Sequence, residues 1–230
     1  MTAQGLIFDL DGTLVDSLPG IADSLNRALG NLRLPLHSFQ EVRRFIGNGA
    51  RVLVTRAAPE GADQTQLERL ESEFKADYEL TWPGGTVTYP GVTRLLAALR
   101  QRGIPLAVLS NKPHPFTTAM VKALFPEVSF AAVLGQRPGI PHKPDPAGAL
   151  EIAAKLGVAA SAGVVIGDSM MDIETARRAG MRAVAVSWGY HDRDALLAAL
   201  PDALIDAPEE LHELLDRSPG GGFPRVHGAA

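Results

Sequence analysis

The chain has 230 residues, of which 46% are hydrophobic, enough for one buried core of ordinary size with a modest insertion. Its formal net charge of −4 at pH 7 excludes a broad attraction to nucleic acid or anionic membranes, and its lack of cysteine excludes disulfides and cysteine-ligated zinc. No run approaches the ~18 apolar residues of a membrane span, and Asp9 and Asp11 interrupt the first apolar run, so we expect a cytoplasmic protein without a signal peptide.

The first third of the chain predicts one strand followed by helices. Gly5 to Leu10 is a short apolar run closed by Gly12, which is typical of a buried strand. From Asp16 to Thr86 apolar residues recur at helical spacing and no strand is indicated. Two capping-box signatures start helices within this stretch: Ser38 with Glu41, and Asp63 with Gln66.

Beyond Pro90 the pattern changes to alternating strands and helices. The predicted strands are residues 105–109, 130–134, 163–166, 183–186 and 203–205. Such alternation predicts an α/β fold, a parallel Rossmann-like sheet with helices on both faces. The helical block then becomes a small α-helical cap inserted after the first strand. The predicted division is a core of residues 1–15 and 87–217, a cap of residues 16–86, and a flexible tail of residues 218–230.

The pair Asp9 and Asp11 carries the strongest chemical signal. Alternate residues of a strand share a side, so both carboxylates leave the predicted first strand together, at the edge where α/β proteins bind ligands. This arrangement indicates phosphoryl-transfer chemistry. A calcium-binding EF-hand loop is excluded, because it needs glycine and glutamate where this sequence has Leu14 and Gly20.

Three further polar groups occur later in the chain: Ser110-Asn111-Lys112, His142-Lys143-Pro144, and Gly167-Asp168-Ser169 with Asp172. The first and the last directly follow predicted strands, which puts them on the same sheet edge as Asp9. Taken singly each has an ordinary interpretation. Lys112 and Lys143 are compatible with solvated lysines, and Asp168 with a helix cap.

In order and identity, these groups resemble the haloacid dehalogenase superfamily of aspartate-nucleophile phosphatases, over nearly the whole chain to about Asp216. The long helical insertion and the run from Arg43 to Ala50 are similar to its phosphoglycolate phosphatase-like branch. The resemblance implies a Mg²⁺-dependent phosphatase that hydrolyses a small phosphorylated metabolite, with 2-phosphoglycolate as the leading substrate. We expect a monomer or homodimer and, from the net charge, no nucleic-acid or membrane partner.

The resemblance also implies catalytic roles. Asp9 attacks phosphorus to give an aspartyl-phosphate, and Asp11 protonates the leaving oxygen and later takes a proton from water. The Ser110 hydroxyl and the Asn111 backbone amide bind phosphoryl oxygens. Lys143 places a cation against the charge that shifts in the transition state.

Mg²⁺ prefers oxygen ligands and uses few carboxylates, which leaves room for substrate phosphate. Asp9 and Asp168 are the natural side-chain ligands, and by resemblance the backbone carbonyl of Asp11 is another. Asp172, one helical turn beyond Asp168, is expected to orient a metal-bound water.

The remaining substrate contacts are assigned to two loops. Gly12 lets backbone amides approach phosphate, and Thr13 is expected to steady that turn. In the insertion, Gly47-Asn48-Gly49 precedes a helix whose first amides would suit a carboxylate or phosphate. The neighbouring pair Arg43 and Arg44 is interpreted as a solvated helix face, in preference to a substrate clamp.

Several alternatives stay open. A sugar-phosphate phosphatase, a pyrophosphatase and a phosphosugar mutase share the implied fold, because function depends on the cap. A true dehalogenase is disfavoured, since that branch lacks the second acid found here as Asp11. The alternative from another class is a catalytically silent phosphate- or metal-binding regulatory module, against which the complete set Asp9, Asp11, Lys143 and Asp168 argues.

Overall fold

The computed structural model describes residues 5–216 and shows an α/β protein. The eight strands in this range are β1 (Gly5–Phe8), β2 (Val15–Asp16), β3 (Val87–Thr88), β4 (Leu106–Pro113), β5 (Ala132–Gln136), β6 (Gly163–Gly167), β7 (Arg182–Val186) and β8 (Ala203–Ile205). The α-helices there are α1 (Leu18–Asn31), α2 (Phe39–Phe45), α3 (Ala50–Ala57), α4 (Gln64–Thr81), α5 (Val92–Gln101), α6 (His114–Leu124), α7 (Ala147–Leu156), α8 (Met170–Ala179), α9 (Arg193–Ala198) and α10 (Glu210–Asp216). The predicted tail, residues 218–230, lies outside the described residues.

Six strands form one parallel sheet in the order β5-β4-β1-β6-β7-β8, which confirms the predicted architecture. Strand β1 is central, and all four of its residues are buried. Consecutive residues of β1 enter different cores: Leu6 and Phe8 pack in one apolar cluster, and Ile7 packs in the other. Both faces of the sheet are therefore covered by helices, as parallel sheets require.

Strand β1 ends two residues before the predicted limit of Leu10. The Asp9 amide still bonds to the carbonyl of Ile166 in β6, at 2.9 Å, but the Leu10 carbonyl accepts the amides of Leu14 and Val15 instead. The chain therefore turns immediately after Asp9. Strand β4 is longer than predicted, because it continues through an irregularity between Leu109 and Pro113.

The inserted helices α1 to α4 leave and rejoin the sheet domain through a small antiparallel ladder. Val15 pairs with Thr88 and Asp16 pairs with Val87. The expectation of no strand from Asp16 to Thr86 is thus wrong at its first residue. A strand of two residues is too short to produce a recognisable alternation of apolar and polar positions.

Inside the insertion, both predicted capping boxes are confirmed. The Ser38 hydroxyl accepts from the amide of Glu41 at 3.3 Å, and the Glu41 carboxylate accepts from the Ser38 amide at 2.8 Å. Asp63 and Gln66 exchange the same pair of bonds at 2.8 and 2.9 Å. These bonds satisfy amides that would otherwise be unpaired at the starts of α2 and α4.

The insertion shares its interior with the sheet domain. One contiguous apolar cluster contains Leu25 of α1 and Leu70 of α4 together with Leu96 of α5 and Val108 of β4. The division into core and cap stays a prediction from the sequence. Within residues 5–216, no helix combines the length and apolar character needed to cross a membrane.

Candidate active site

The sheet topology gathers the predicted polar groups at one edge. Asp9 follows β1, Asp168 follows β6, and Ser110 lies in the last part of β4. Because β4 and β6 flank β1, these three side chains come from adjacent strands. Such an edge is where open parallel sheets bind ligands.

Lys143 connects two of the carboxylates. Its Nζ lies 2.9 Å from Asp9 Oδ1 and 2.6 Å from Asp172 Oδ1, and it donates to the Leu109 carbonyl at 3.1 Å. Only 3% of its side chain is exposed. Burial disfavours the charged lysine, but the two carboxylates outweigh that effect and raise the pKa of Lys143. Lys143 is therefore a fixed cation beside the proposed nucleophile.

Asp9, Asp168 and Asp172 each present a carboxylate oxygen, and these three atoms lie within 4.8 Å of one another. Burial raises the pKa of Asp9 to about 8; Lys143 opposes this rise, and the charges of Asp172 and Asp168 add to it. Three ionised carboxylates beside one lysine would be costly in this confined space, which is why the pKa of Asp9 is raised when no cation is bound. The donor set fits a hard divalent cation such as Mg²⁺, which prefers oxygen ligands.

Within this cluster, Asp172 is the most constrained carboxylate. Besides the contact to Lys143, its second oxygen accepts from the Ser169 hydroxyl at 2.6 Å, in a capping box at the start of α8. Both oxygens of Asp172 thus have partners within the protein, and its role in orienting a metal-bound water stays a prediction.

Asp11 lies in a separate network. Its Oδ1 accepts from the Ser17 hydroxyl at 2.5 Å, and Lys112 Nζ lies 3.1 and 3.2 Å from its two oxygens. Lys112 also donates to the hydroxyl of Tyr78 on α4 at 2.9 Å. The interpretation of Lys112 as a solvated lysine is wrong, because only 6% of its side chain is exposed. Although burial opposes its charge, Asp11 and then Tyr78 raise the pKa of Lys112 to about 12.

Ser110 and Asn111 are both buried and line the central cavity. The Ser110 Oγ accepts from the Lys112 amide at 3.2 Å. The Asn111 side chain exchanges bonds with the backbone of Lys143 at 2.8 and 3.2 Å and donates to the Gly47 carbonyl at 3.0 Å. Asn111 therefore joins the Lys143 loop to the inserted helices, a structural task that the sequence did not reveal.

Gly12 adopts a left-handed backbone with φ of +81°, and a Cβ there would lie 2.3 Å from Asp168 Oδ2. The absence of a side chain is thus required for Asp168 to occupy its place. The neighbouring Thr13 is 1% exposed, and its hydroxyl makes no hydrogen bond to any residue between 5 and 216. Neither Gly12 nor Thr13 lines the cavity, so their predicted contact with substrate stays a prediction.

The loop Gly47-Asn48-Gly49 lies over the sheet edge. Gly47 and Gly49 line the cavity, whereas the Asn48 side chain accepts a bond from Arg56 at 3.0 Å. Gly49 is the N-cap of α3 and contributes no capping side chain, which leaves the first amides of the helix available. Its φ of +85° and a nearest approach of 2.8 Å to His142 make glycine necessary there.

The two basic residues of α2, Arg43 and Arg44, have different surroundings. Arg44 is exposed, as expected for a solvated helix face. Arg43 instead donates from Nε to the carbonyl of Tyr190 at 2.6 Å. Together with the Asn111 bond to Gly47, this contact docks the inserted helices onto the sheet edge.

The resulting cavity has a volume of about 70 Å³. Its polar floor is formed by residues of the sheet edge, including Asp9, Asp11 and Asp168. The inserted helices and the loop between α2 and α3 contribute the following lining residues: Ile21, Ile46, Gly47, Gly49, Ala50, Leu53, Phe74 and Tyr78.

Sequence reasoning missed five site residues: Ser17, Tyr78, Lys112, Tyr190 and His191. Tyr190 accepts the amides of Ser17 and Leu18 through its hydroxyl and donates its own amide to Asp168 at 2.7 Å. His191 Nδ1 lies 3.6 Å from Asp168, an electrostatic contact beyond hydrogen-bond distance. A usable signal existed only for Lys112, which directly follows Ser110 and Asn111.

Known proteins resemble this chain in sequence and in structure. The family model described as haloacid dehalogenase-like hydrolase matches residues 6–186. The chain belongs to the haloacid dehalogenase-like hydrolase family.

Relatives of the hydrolase are found among phosphoglycolate phosphatases. The protein of that name from Pectobacterium atrosepticum is 36% identical over 218 residues, covering 94% of this chain and 93% of the relative. The one from Escherichia coli K12 is 33% identical over 228 residues, covering 90% of each. A crystal structure of a predicted phosphoglycolate phosphatase from Haemophilus somnus superimposes with a TM-score of 0.86 at 32% identity, over 91% of this chain and 96% of that one. The hydrolase is therefore a phosphoric monoester hydrolase of the phosphoglycolate phosphatase-like branch.

Proposed function

We propose that this hydrolase is a Mg²⁺-dependent phosphatase that cleaves 2-phosphoglycolate through an aspartyl-phosphate on Asp9. The observation that carries the proposal is the site itself: a carboxylate cluster with a fixed lysine, beneath a small cavity with apolar walls. Its similarity to phosphoglycolate phosphatases over at least 90% of the chain supports the choice of substrate.

In the first step Asp9 attacks phosphorus, the bond to the leaving oxygen breaks, and Asp11 gives that oxygen a proton. Lys143, held 2.9 Å from Asp9, neutralises charge that builds up as the groups approach. The Ser110 hydroxyl and the Asn111 amide at the end of β4 bind phosphoryl oxygens and keep the attack in line.

In the second step a water attacks phosphorus, and Asp11 now takes a proton from it. The bond between phosphorus and Asp9 breaks, which releases inorganic phosphate and restores the carboxylate. Asp11 can serve both steps because a proton accepted in one is the proton needed in the next.

Asp9 and Asp168 would hold Mg²⁺ by their carboxylates and Asp11 by its backbone carbonyl, while Asp172 orients the surrounding ligands. When bound, Mg²⁺ supplies positive charge beside the phosphoryl group and favours the ionised form of nearby carboxylates.

The cavity supports a small substrate. No lysine or arginine of residues 17–86 lines it, so the inserted helices offer no cation for a second phosphate. This argues against a bisphosphate-dependent phosphosugar mutase, and the apolar walls give few partners for sugar hydroxyls. We propose that the free amides at the start of α3, near Gly47 and Gly49, bind the carboxylate of phosphoglycolate.

The proposal is tested by a panel of 2-phosphoglycolate, glycerol 3-phosphate, a hexose phosphate and pyrophosphate, scored by kcat/KM with Mg²⁺ and with chelator. We expect phosphoglycolate to be preferred and chelator to abolish turnover. Preference for a sugar phosphate or pyrophosphate would overturn the substrate assignment.

Two controls separate the enzyme from the silent module. Asp9→Asn keeps the shape of the side chain but removes the nucleophile, and it should stop turnover. Absence of metal-dependent hydrolysis in the unaltered chain would instead favour a regulatory module.

We further propose a cytoplasmic location, a core of residues 1–15 and 87–217, and a cap of residues 16–86 that closes over the substrate and excludes water.

A further inference from the structure

Lys112 is a buried cation that the mechanism above does not use. It lies on β4. Among the described residues, its ammonium group donates to both oxygens of Asp11, at 3.1 and 3.2 Å, and to the hydroxyl of Tyr78, at 2.9 Å. A buried lysine is costly unless it is paired, so these contacts are strong constraints on where its ammonium lies.

The carboxylate of Asp11 is consequently held from two sides. Ser17 donates to Oδ1 at 2.5 Å, and Lys112 approaches both oxygens. A general acid must point its proton at the leaving oxygen, and a small displacement of that group is enough to slow the transfer. Lys112 also lies where it stabilises the charge that forms on Asp11 as the proton departs.

Tyr78 fixes the other side of Lys112. It belongs to α4 of the insertion, is 2% exposed, and packs between the rings of Phe74 and Phe116 at centroid distances of 5.5 Å each. The lysine Nζ lies 4.7 Å from the centroid of the Tyr78 ring, within range of a cation–π contact. The helical insertion is thereby connected to Asp11 through the side chain of Lys112 on β4.

We propose that Lys112 is a positioning residue that aligns the Asp11 carboxyl for proton transfer to the leaving oxygen, and that Tyr78 holds Lys112 in place. This inference rests on the proposed function, since it concerns the step in which phosphorus bonds to Asp9 and the leaving group departs with a proton from Asp11.

The test compares substrates that differ in their need for that proton. Ethyl phosphate releases an alkoxide that must be protonated, whereas acetyl phosphate releases acetate, which is stable as an anion. The parameter kcat/KM reports events up to departure of the leaving group. Lys112→Met should lower kcat/KM for ethyl phosphate about 100-fold, within the range typical of general acid catalysis, and for acetyl phosphate less than about threefold.

Tyr78→Phe removes one hydroxyl and keeps the ring, so it should fold normally. It should show the same selectivity for ethyl phosphate with a smaller loss, about threefold to tenfold. Lys122→Met, which removes an exposed lysine on α6, is the matched control and should change neither substrate.

Equal losses on ethyl and acetyl phosphate would show that Lys112 only maintains the structure, and would overturn the proposal. So would a rise in KM confined to phosphoglycolate, because it would mean that Lys112 binds the substrate carboxylate. Both results leave the phosphatase function intact, provided that Asp9→Asn is inactive. If the unaltered chain cleaved none of the three substrates, phosphoglycolate, ethyl phosphate and acetyl phosphate, the proposed function itself would fail, and the role of Lys112 with it.

Discussion

Replacement of Gly12 by alanine should both destabilise the fold and weaken the proposed metal site. The backbone at Gly12 is left-handed, with φ of +81°, which costs alanine about 1–2 kcal/mol. The new Cβ would lie 2.3 Å from Asp168 Oδ2 and 2.6 Å from its Cγ, well inside contact distance. Asp168 has little room to retreat, because it also packs against Gly189 and accepts the Tyr190 amide at 2.7 Å.

We therefore expect Gly12→Ala to lose about 2–5 kcal/mol of unfolding free energy, the sum of backbone strain and about 1–3 kcal/mol of overpacking. Displacement of Asp168 should raise the Mg²⁺ concentration for half-maximal activity about 10- to 100-fold, as found for residues that orient metal ligands. Urea unfolding and a Mg²⁺ titration of phosphoglycolate hydrolysis measure the two effects.

Gly139→Ala is the matched control. Gly139 has nearly the same φ, +80°, but among the described residues no atom outside Gly139 and its two chain neighbours lies within 4 Å of the position that a Cβ would take. It should lose only the ~1–2 kcal/mol of strain and leave the Mg²⁺ midpoint unchanged. If both variants had the same Mg²⁺ midpoint, the claim that Gly12 exists to make room for Asp168 would be refuted.

Three further outcomes are expected. Leu70→Ala, in a fully buried position of α4, should cost about 2–5 kcal/mol by urea unfolding, whereas Leu80→Ala on the same helix, at 82% exposure, should cost almost nothing. Asp11→Asn should lower kcat far more than it weakens Mg²⁺ binding; equal loss of both would contradict a proton-transfer role. Mg²⁺ at 100 times its Kd should stabilise the chain by about 2.7 kcal/mol, and Asp168→Asn should remove most of that gain in thermal unfolding.

The sequence predicted the sheet because its signals are local. Each strand of the parallel sheet contains a short apolar run, and helix starts such as Ser38 and Asp63 carry capping residues that depend on their immediate neighbours. The placement of Asp9 beside Asp168 could also be predicted from the sequence, because parallel strands bring their carboxyl ends to one edge of the sheet.

Contacts between distant segments could not be predicted from the sequence. Lys112 meets Tyr78 across 34 positions of the chain, and Tyr190 meets Ser17 across 173. Nothing in the residues around either position indicates the partner, because the pairing depends on how α4 and the loop after β7 pack. The two-residue strands β2 and β3 were missed for the same reason, since each is defined only by the other.

The ladder between β2 and β3 has an evolutionary consequence. Because Asp16 and Val87 are paired neighbours, the insertion between them begins and ends at a single point beside the sheet. A fold tolerates the exchange of a segment best when the two ends of that segment lie close together. A segment exchanged into this place would have to supply its own partner for Lys112 in place of Tyr78, because that lysine contacts Asp11.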